Sequence, residues 1–298
     1  MKFRTEYEAK KSPLTLDPSN PVVLMGSCFS QNIAGVMNTF NWEAVNPGGT
    51  LYNPFSIGKA IELLLGESEG KEKFEGSLFE FNGIWNSRYF DSSFSAIVRE
   101  DCLEEFAIRQ QKCVMALEKG KTLIVTFGTS ICYYLKSTKE LVGNCHKQPS
   151  ELFIRRRVSV EEISKYWDSL LKKLEGRIPG INLIFTLSPV RHLKDGFEGN
   201  SCSKSVLRLA LEEICNKHSN CFYFPAYEIM MDDLRDYRFY SDDLLHPSGE
   251  GIEYIWEKFV GTYLNEFGLL RLKEGNRLYK AEHHRPKTGS LGKPLSSL

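Results

Sequence analysis

Short apolar runs alternate along the chain with longer amphipathic segments. Four apolar runs of strand length are rich in Val, Ile, Leu or Phe: "PVVLMG", "KTLIVTFGT", "INLIFTLSPV" and "CFYFPAY", beginning at residues 21, 121, 181 and 221. Few polar positions interrupt them, which is typical of strands that are buried on both faces. The pattern therefore predicts an α/β fold whose parallel sheet is covered by helices on both sides.

The segments between these runs predict the helices. Four of them place apolar residues three and four positions apart, namely "CLEEFAIRQQKCVMALEKG", "SVEEISKYWDSLLKKLEGRIPG", "SKSVLRLALEEICNKHSN" and "EGIEYIWEKFVGTYLNEF". The segment "SQNIAGVMNTF" directly follows the first predicted strand and can form a further helix. We find no internal repeat, so residues 1–271 are expected to form a single domain.

Two segments depart from this alternation. Residues 68–95 are rich in glycine, aromatic residues and serine, which predicts a hairpin or irregular insertion at the rim of an active site, with a surface loop as the alternative. Residues 272–298 are basic and contain proline and serine, which predicts a mobile tail. His283 and His284 in that tail are expected to be solvated rather than to bind a metal.

Composition narrows the class of protein. Lys and Arg together number 38, as do Asp and Glu, so the net charge of 0 attracts neither nucleic acid nor an anionic membrane. The apolar runs are shorter than the roughly 20 residues of a membrane span, and the start lacks a secretory signal pattern, which favours a cytoplasmic protein. The eight cysteines are scattered and form no C-x-x-C pair, so we expect no disulfide framework, no metal site and no cofactor.

The first candidate for chemistry is the stretch "GSCFS", where the first predicted strand runs into Gly26, Ser27 and Cys28. Functional sites of such folds gather at the carboxyl ends of the strands. A thiol at the start of a helix faces unpaired N–H groups, which favour the thiolate, whereas a hydroxyl there needs an external base. The alternative is that Ser27 caps the helix while Cys28 packs inertly.

The second candidate is the string "SDDLLHPS", in which Asp243 precedes His246 by three positions. This spacing lets a carboxylate bind one imidazole nitrogen while the other nitrogen faces a nucleophile. A D-x-x-H string is by itself also typical of a helix cap or a surface loop. The pair therefore predicts a base only in combination with other motifs.

Several strings in order carry a family resemblance: "GSCFS", "YNPFSI", "NCHKQPSELFIRR", "LSPVRHLKDG" and "YFPAYEIMMDDLRDYRFYSDDLLHPS". From about residue 3 to 265 the chain resembles the GSCFA family, within the broad group of SGNH/GDSL-like hydrolases. The resemblance implies a three-layer α/β/α fold with an SGNH-hydrolase-like, flavodoxin-like parallel sheet. It also implies hydrolysis or transfer of acyl esters, with Asp243 and His246 in the D-x-x-H motif of that group.

The same resemblance implies a register for the nucleophile. The wider group carries Gly-Asp-Ser, with the nucleophilic serine two positions after glycine. Placed on Gly26, this register puts Cys28 in the nucleophile position and Ser27 in the aspartate position. We therefore favour Cys28, and Ser27 is the alternative if the turn is shifted by one residue.

Donors for an oxyanion are also implied by the resemblance. The second glycine of the group corresponds to Gly48 or Gly49, although a simple turn there is equally consistent. The G-x-N motif of the group falls on Gly128, with Ser130 in the place of asparagine. The amide donor is then expected from Asn144 or Asn53, and Asn144 is preferred because it lies in a family-specific string.

Three further residues are candidates for contacts with the substrate. His146 is a candidate substrate contact and a less favoured base. Arg191 follows a predicted strand and can bind a carboxylate or phosphate, or else pair with the acidic "DDLRD" segment. His192 is expected to form hydrogen bonds within its loop.

These observations predict a hydrolase of acyl esters or thioesters that forms an acyl-enzyme on Cys28 or Ser27. The expected partner is a small-molecule or carbohydrate acyl ester. An acyltransferase and a non-catalytic metabolite-binding domain are the alternatives. A zinc hydrolase using His146 and His246 is disfavoured, because no H-x-x-x-H or H-E-x-x-H pattern is present.

Overall fold

The computed structural model of the protein describes residues 4–283 and has a parallel sheet at its centre. Five strands follow the order β10-β9-β5-β1-β2, and all their pairings are parallel. The four apolar runs that predicted strands form β1, β5, β9 and β10. The strands of the described chain are β1 (Val22–Gly26), β2 (Ala44–Val45), β3 (Leu78–Phe81), β4 (Ile84–Ser87), β5 (Thr122–Phe127), β6 (Ile131–Leu135), β7 (Leu141–Val142), β8 (Phe153–Arg157), β9 (Asn182–Leu187) and β10 (Cys221–Phe224).

Helices flank the sheet, and all the predicted helices are present. Those of the described residues are α1 (Cys28–Asn38), α2 (Pro54–Leu65), α3 (Glu67–Gly76), α4 (Arg99–Gly120), α5 (Val160–Arg177), α6 (Gly196–Lys217), α7 (Ala226–Glu228), α8 (Gly249–Tyr263) and α9 (Glu266–His283). None of the helices in this part of the chain is long and apolar enough to cross a membrane.

Alternate residues of each strand face two separate apolar layers. In β1, Val23 and Met25 pack into a cluster with residues of α2, α4, α5 and α6. Val22 and Leu24 pack into a second cluster with residues of α1, α8 and α9. The sheet is thus buried on both faces, and the predicted three-layer α/β/α arrangement is confirmed.

Two small antiparallel sheets lie outside the central one. Strands β3 and β4 form a hairpin within residues 68–95, as predicted, although α3 occupies the beginning of that segment. Strands β7, β6 and β8 form a three-stranded sheet between β5 and α5. The sheet of β7, β6 and β8 positions several side chains of the site described below.

The prediction of a mobile tail from residue 272 is wrong for residues 272–283, which form most of α9. Leu272 is 6% exposed, and Asn276 Nδ2 donates a hydrogen bond to the Thr39 carbonyl at 3.1 Å. Apolar burial and this contact with the end of α1 hold the helix against the domain. His283 ends α9 with Nδ1 2.9 Å from the Tyr279 carbonyl oxygen, whereas His284 and the rest of the predicted tail lie outside the described residues.

Candidate active site

The carboxyl ends of β1, β5 and β9 open into one cavity of about 410 Å³. Loops before α2 and α8 and the sheet of β6 and β8 complete its wall. Its lining comprises Ser27, Cys28, Tyr52, Asn53, Gly128, Thr129, Ile131, Tyr133, Gly143, Arg155, Ser188, Val190, Arg191, His192, Leu193, Lys194, Leu245 and His246. No residue of the 68–95 segment is among them, although Arg88 of that segment accepts a hydrogen bond at 2.7 Å from the N–H of Gly143, which is a lining residue.

The turn after β1 depends on Gly26. Its φ of +136° lies in a region that other residues rarely adopt, and a Cβ atom there would lie 2.2 Å from the Thr126 carbonyl oxygen. Ser27 continues the pairing with β5, its N–H donating to Thr126 O at 3.3 Å. Ser30 Oγ lies 2.7 Å from Thr126 Oγ1 and ties the first turn of α1 to β5. Glycine therefore lets the chain turn tightly between strand and helix.

Ser27 and Cys28 have different environments at this turn. Ser27 is 1% exposed, and its buried Oγ has no hydrogen-bond partner in residues 4–283. Ser27 occupies the N-cap position of α1, but its side chain makes no capping hydrogen bond. Cys28 is the first residue of the helix and is only partly buried. The thiol is thus more accessible than the neighbouring hydroxyl.

Burial raises the pKa of the Cys28 thiol above its ordinary value. The backbone N–H groups of Phe29 and Cys28 and the charge of Lys204 act in the opposite direction but do not outweigh burial. The N–H groups at the helix start thus favour the thiolate as expected, but desolvation exceeds their effect. A protonated thiol needs a base before it can attack a carbonyl.

Asp243 and His246 form the pair that the sequence suggested. His246 Nδ1 lies 2.5 Å from Asp243 Oδ2, and Asp243 Oδ1 accepts the backbone N–H groups of His246 and Leu245, both at 2.9 Å. These two N–H groups, together with the imidazole, lower the pKa of Asp243 to about 2. A carboxylate on Nδ1 favours the tautomer in which Nε2 is free to accept a proton.

Arg191 holds the loop that carries this pair. Its Nη2 donates to the Leu244 carbonyl at 2.6 Å, its N–H donates to Leu245 O at 3.3 Å, and its guanidinium lies 4.8 Å from the centre of the Tyr240 ring. Leu244 has a φ of +59°, a conformation that needs support from its surroundings. Within the described chain Arg191 makes no ion pair with the "DDLRD" segment, so that expectation is wrong. Its guanidinium instead binds a carbonyl.

Two predicted oxyanion residues line the cavity. The Gly128 N–H is already used, because it donates to the Tyr52 carbonyl at 2.7 Å. Asn53 caps α2, with Oδ1 accepting the Ser56 N–H at 2.8 Å and Nδ2 donating to Ser56 Oγ at 2.9 Å. An amide nitrogen carries two hydrogens, and within residues 4–283 only one of those on Asn53 has a partner.

Gly49 and Ser130 lie outside the cavity lining. Gly49 has a φ of +65°, and a Cβ atom there would lie 2.4 Å from Asp91 Oδ1. Ser130 is fully buried, and its N–H donates to Ser203 Oγ at 2.8 Å. Both residues are thus placed where they support the fold around the site rather than where they face a substrate.

Asn144 and His146 also lie outside the lining. Asn144 Oδ1 accepts the His146 N–H at 2.8 Å. His146 Nε2 lies 2.7 Å from the Ser87 carbonyl oxygen and 3.1 Å from the Phe90 carbonyl oxygen. The imidazole therefore fastens its loop to the region after β4, and burial lowers its pKa.

Sequence reasoning missed Lys204 of α6. This lysine is 2% exposed, and its Nζ donates to the Ser188 carbonyl at 2.7 Å. Burial lowers its pKa to about 7. Lys204 occupies the apolar stripe formed by Leu207, Leu211 and Ile214, and a lysine in such a stripe is the signal that could have revealed it.

His192 lines the cavity, and its backbone N–H donates to Asn200 Oδ1 of α6 at 3.2 Å, whereas its imidazole forms no hydrogen bond within the described residues, so the expected loop hydrogen bond is not found. Its Nε2 is buried and has no partner among residues 4–283, while Nδ1 lies 3.7 Å from Asp195 Oδ2. Burial lowers the pKa of His192. A neutral imidazole therefore forms part of the wall.

Fold and site together define an α/β/α protein with a thiol and an Asp–His pair at the carboxyl edge of its parallel sheet. The GSCFA family matches residues 21–259, which is most of the chain. The chain belongs to the GSCFA family. No curated protein matches it.

Proposed function

We propose that this protein is an acyl hydrolase of the SGNH/GDSL-like group that forms an acyl-enzyme on Cys28. The substrate is an ester or thioester of a small molecule or carbohydrate. One observation carries the proposal: the Cys28 thiol and the Asp243-oriented imidazole of His246 line the same cavity at the end of β1. These are the parts that nucleophilic acyl transfer requires.

The first half of the reaction forms the acyl-enzyme. His246 Nε2 takes the proton from Cys28 as Sγ attacks the carbonyl carbon, and the carbonyl oxygen becomes an oxyanion. The Cys28 N–H at the start of α1 and the free amide hydrogen of Asn53 are the proposed donors to that oxyanion. The bond to the leaving alcohol or thiol then breaks, and the leaving group takes the proton from the imidazolium.

The second half releases the acid. His246 accepts a proton from water, the water oxygen attacks the thioester on Cys28, and the carbon–sulfur bond breaks. The proton returns to sulfur, which restores the thiol. If a hydroxyl of an acceptor replaces water, the same steps describe an acyltransferase.

Cys28 is preferred over Ser27 because of accessibility. Ser27 is 1% exposed and lies at the end of the strand pairing, whereas Cys28 is partly buried and begins the helix. A different observation favours the non-catalytic alternative. Within residues 4–283, no hydrogen bond joins Cys28 Sγ to His246, and a catalytic role therefore requires the imidazole to approach the thiol when a substrate binds.

The test compares hydrolysis of p-nitrophenyl acetate and an acetyl thioester by the wild type and by four variants, Cys28→Ala, Ser27→Ala, His246→Gln and Asp243→Asn. The chain offers a matched control, because His218 and Asp168 form a second His–Asp pair at 2.8 Å that lies outside the cavity lining. His218→Gln and Asp168→Asn therefore make the same chemical changes elsewhere.

We expect His246→Gln and Asp243→Asn to lower kcat/KM by about 10²-fold or more, while the two control variants retain wild-type values. Cys28→Ala abolishes turnover and the acylated species seen by mass spectrometry, and Ser27→Ala retains both. Activity that survives Cys28→Ala but not Ser27→Ala assigns the nucleophile to Ser27. An absence of turnover above background in the wild type supports the non-catalytic alternative.

A further inference from the structure

The cavity wall carries an excess of positive charge. Three cationic residues line it, Arg155, Arg191 and Lys194, and no Asp or Glu is among the described lining residues. Buried Lys204 lies behind the wall and donates to the carbonyl of Ser188, which is itself a lining residue. The nearby carboxylates are already paired, since Asp243 binds His246 and Asp195 binds Arg155.

Only part of this charge is free to meet a ligand. Arg191 is committed to the Leu244 carbonyl and the Tyr240 ring, as described above. Arg155 pairs with Asp195 through Nη2, while its Nε and the Lys194 amine converge on a single hydroxyl. Arg155 Nε donates to the Tyr133 oxygen at 3.0 Å, and Lys194 Nζ donates to the same oxygen at 2.9 Å.

The small antiparallel sheet builds this convergence. Tyr133 of β6 and Arg155 of β8 are cross-strand partners, and Lys194 approaches from the loop after β9. Both cations lie near the same aromatic ring, at 5.8 and 5.3 Å from its centre. Asp195 balances the charge of Arg155, but within residues 4–283 Lys194 has no carboxylate partner, so a further anion beside the two cations lowers the energy of the arrangement.

Tyr133, Arg155 and Lys194 have hydrogen-bond donors that are not used within the described residues. The Tyr133 oxygen accepts two hydrogen bonds, and no acceptor for its own hydrogen is present among residues 4–283. Lys194 has three N–H groups and uses one of them on Tyr133, and Arg155 has five, of which one is used on Tyr133 and one on Asp195. A carboxylate or phosphate accepts several such hydrogen bonds at once.

We propose that Tyr133, Arg155 and Lys194 form a subsite for an anionic group, a carboxylate or a phosphate, carried by the substrate. Apolar side chains of Ile131, Val190 and Leu193 line the same cavity. The substrate is thus an ester or thioester that combines an apolar portion with an anionic oxygen group. The claim that the anionic group is part of a reacting ester or thioester rests on the proposed function. The claim that an anion binds there rests on the cavity alone.

The experiment uses two pairs of substrates, each differing in one anionic group. The first pair is the p-nitrophenyl half-ester of succinate against p-nitrophenyl butyrate, which places a carboxylate on the acyl side. The second pair is the acetyl thioester of phosphopantetheine against that of pantetheine, which places a phosphate on the leaving group. The ratio of kcat/KM within each pair measures the preference for the anion.

We expect the wild type to prefer the anionic member of at least one pair by about tenfold or more, and added salt to weaken that preference. Arg155→Gln and Lys194→Met reduce the ratio to about one, while Lys194→Arg retains most of it. The matched control is Arg156→Gln. Arg156 is the next residue of β8, but it pairs with Glu162 and does not line the cavity.

A ratio near one for both pairs in the wild type overturns the inference. So does an equal fall of the ratio in Arg155→Gln and Arg156→Gln, because it would reflect only the overall charge. The pair that responds shows on which side of the reacting carbonyl the anion lies.

Binding without turnover separates this inference from the proposed function. Calorimetric titration of Cys28→Ala with succinate and with phosphopantetheine should show binding that Arg155→Gln removes and Arg156→Gln retains. If such binding is found but no substrate is hydrolysed, the proposed function fails and the subsite stands. If hydrolysis depends on Cys28 and His246 while neither anion binds or is preferred, the subsite fails alone.

Discussion

Replacing Lys204 by methionine should change how the stability of the protein depends on pH. Lys204 is 2% exposed, and burial lowers its pKa from the ordinary 10.5 to about 7. Methionine is of similar length and carries no charge, so Lys204→Met removes the titration and leaves most of the packing. The lost hydrogen bond to Ser188 adds an offset of about 1–3 kcal/mol that does not vary with pH.

The size of the effect follows from proton linkage. Between the folded and unfolded pKa values the unfolded chain binds one more proton at this lysine, so the wild type becomes more stable as the pH rises. With pKa values of about 7 folded and 10.5 unfolded, the free energy of unfolding rises by about 2 kcal/mol between pH 7 and 9 relative to Lys204→Met. Below the folded pKa the lysine is charged in both states, and the difference is constant.

The ionisation of buried cysteines sets the upper limit of the pH range in which this comparison is made. Burial raises the pKa values of Cys113 and Cys132 to about 12. These thiols are thus protonated when folded but ionise in the unfolded chain from about pH 9, which lowers stability as the pH rises further. Both proteins share this effect, and stopping at pH 9 keeps it small.

The assay is urea unfolding followed by tryptophan fluorescence at pH 7, 8 and 9. The control is Lys172→Met, which removes an exposed amine from α5 and should differ from the wild type by an amount that does not change with pH. If the difference between wild type and Lys204→Met is also constant from pH 7 to 9, the reasoning from burial is refuted.

Two further predictions concern the turn and the thiol. Gly26→Ala should lower the free energy of unfolding by about 3 kcal/mol, because of its positive φ and the clash with Thr126. Gly35→Ala, which meets nothing within 4 Å inside α1, should instead be neutral or stabilising, and equal losses in urea unfolding would contradict this account. Iodoacetamide at neutral pH should modify exposed Cys202 before Cys28, whose pKa is raised by burial. Peptide mapping measures both rates, and faster labelling of Cys28 would show that the helix start outweighs desolvation.

Local chemistry made part of the candidate site predictable. Asp243 and His246 are three positions apart, and their contact forms within one short loop, so spacing alone indicated it. Gly26 likewise marks a turn with a positive φ angle that residues other than glycine rarely adopt. In each case the decisive interaction is within a few residues along the chain or within the backbone itself.

Other candidates have partners that are distant in sequence. His146 lies near the carbonyl groups of Ser87 and Phe90, more than 50 residues away. Arg191 binds the carbonyl of Leu244, 53 positions later. Neither contact leaves a pattern in the neighbouring sequence, so the same residue types were equally compatible with binding a substrate.

The sequence by itself determined the parallel sheet, its flanking helices and the position of Cys28 at the end of β1, because periodicity and turn chemistry are properties of neighbouring residues. Only the tertiary structure decided which side chains share the cavity and how strongly they are desolvated. That desolvation raises the pKa of Cys28 and lowers that of Lys204. Burial depends on atoms brought together from across the whole chain, and no local pattern contains it.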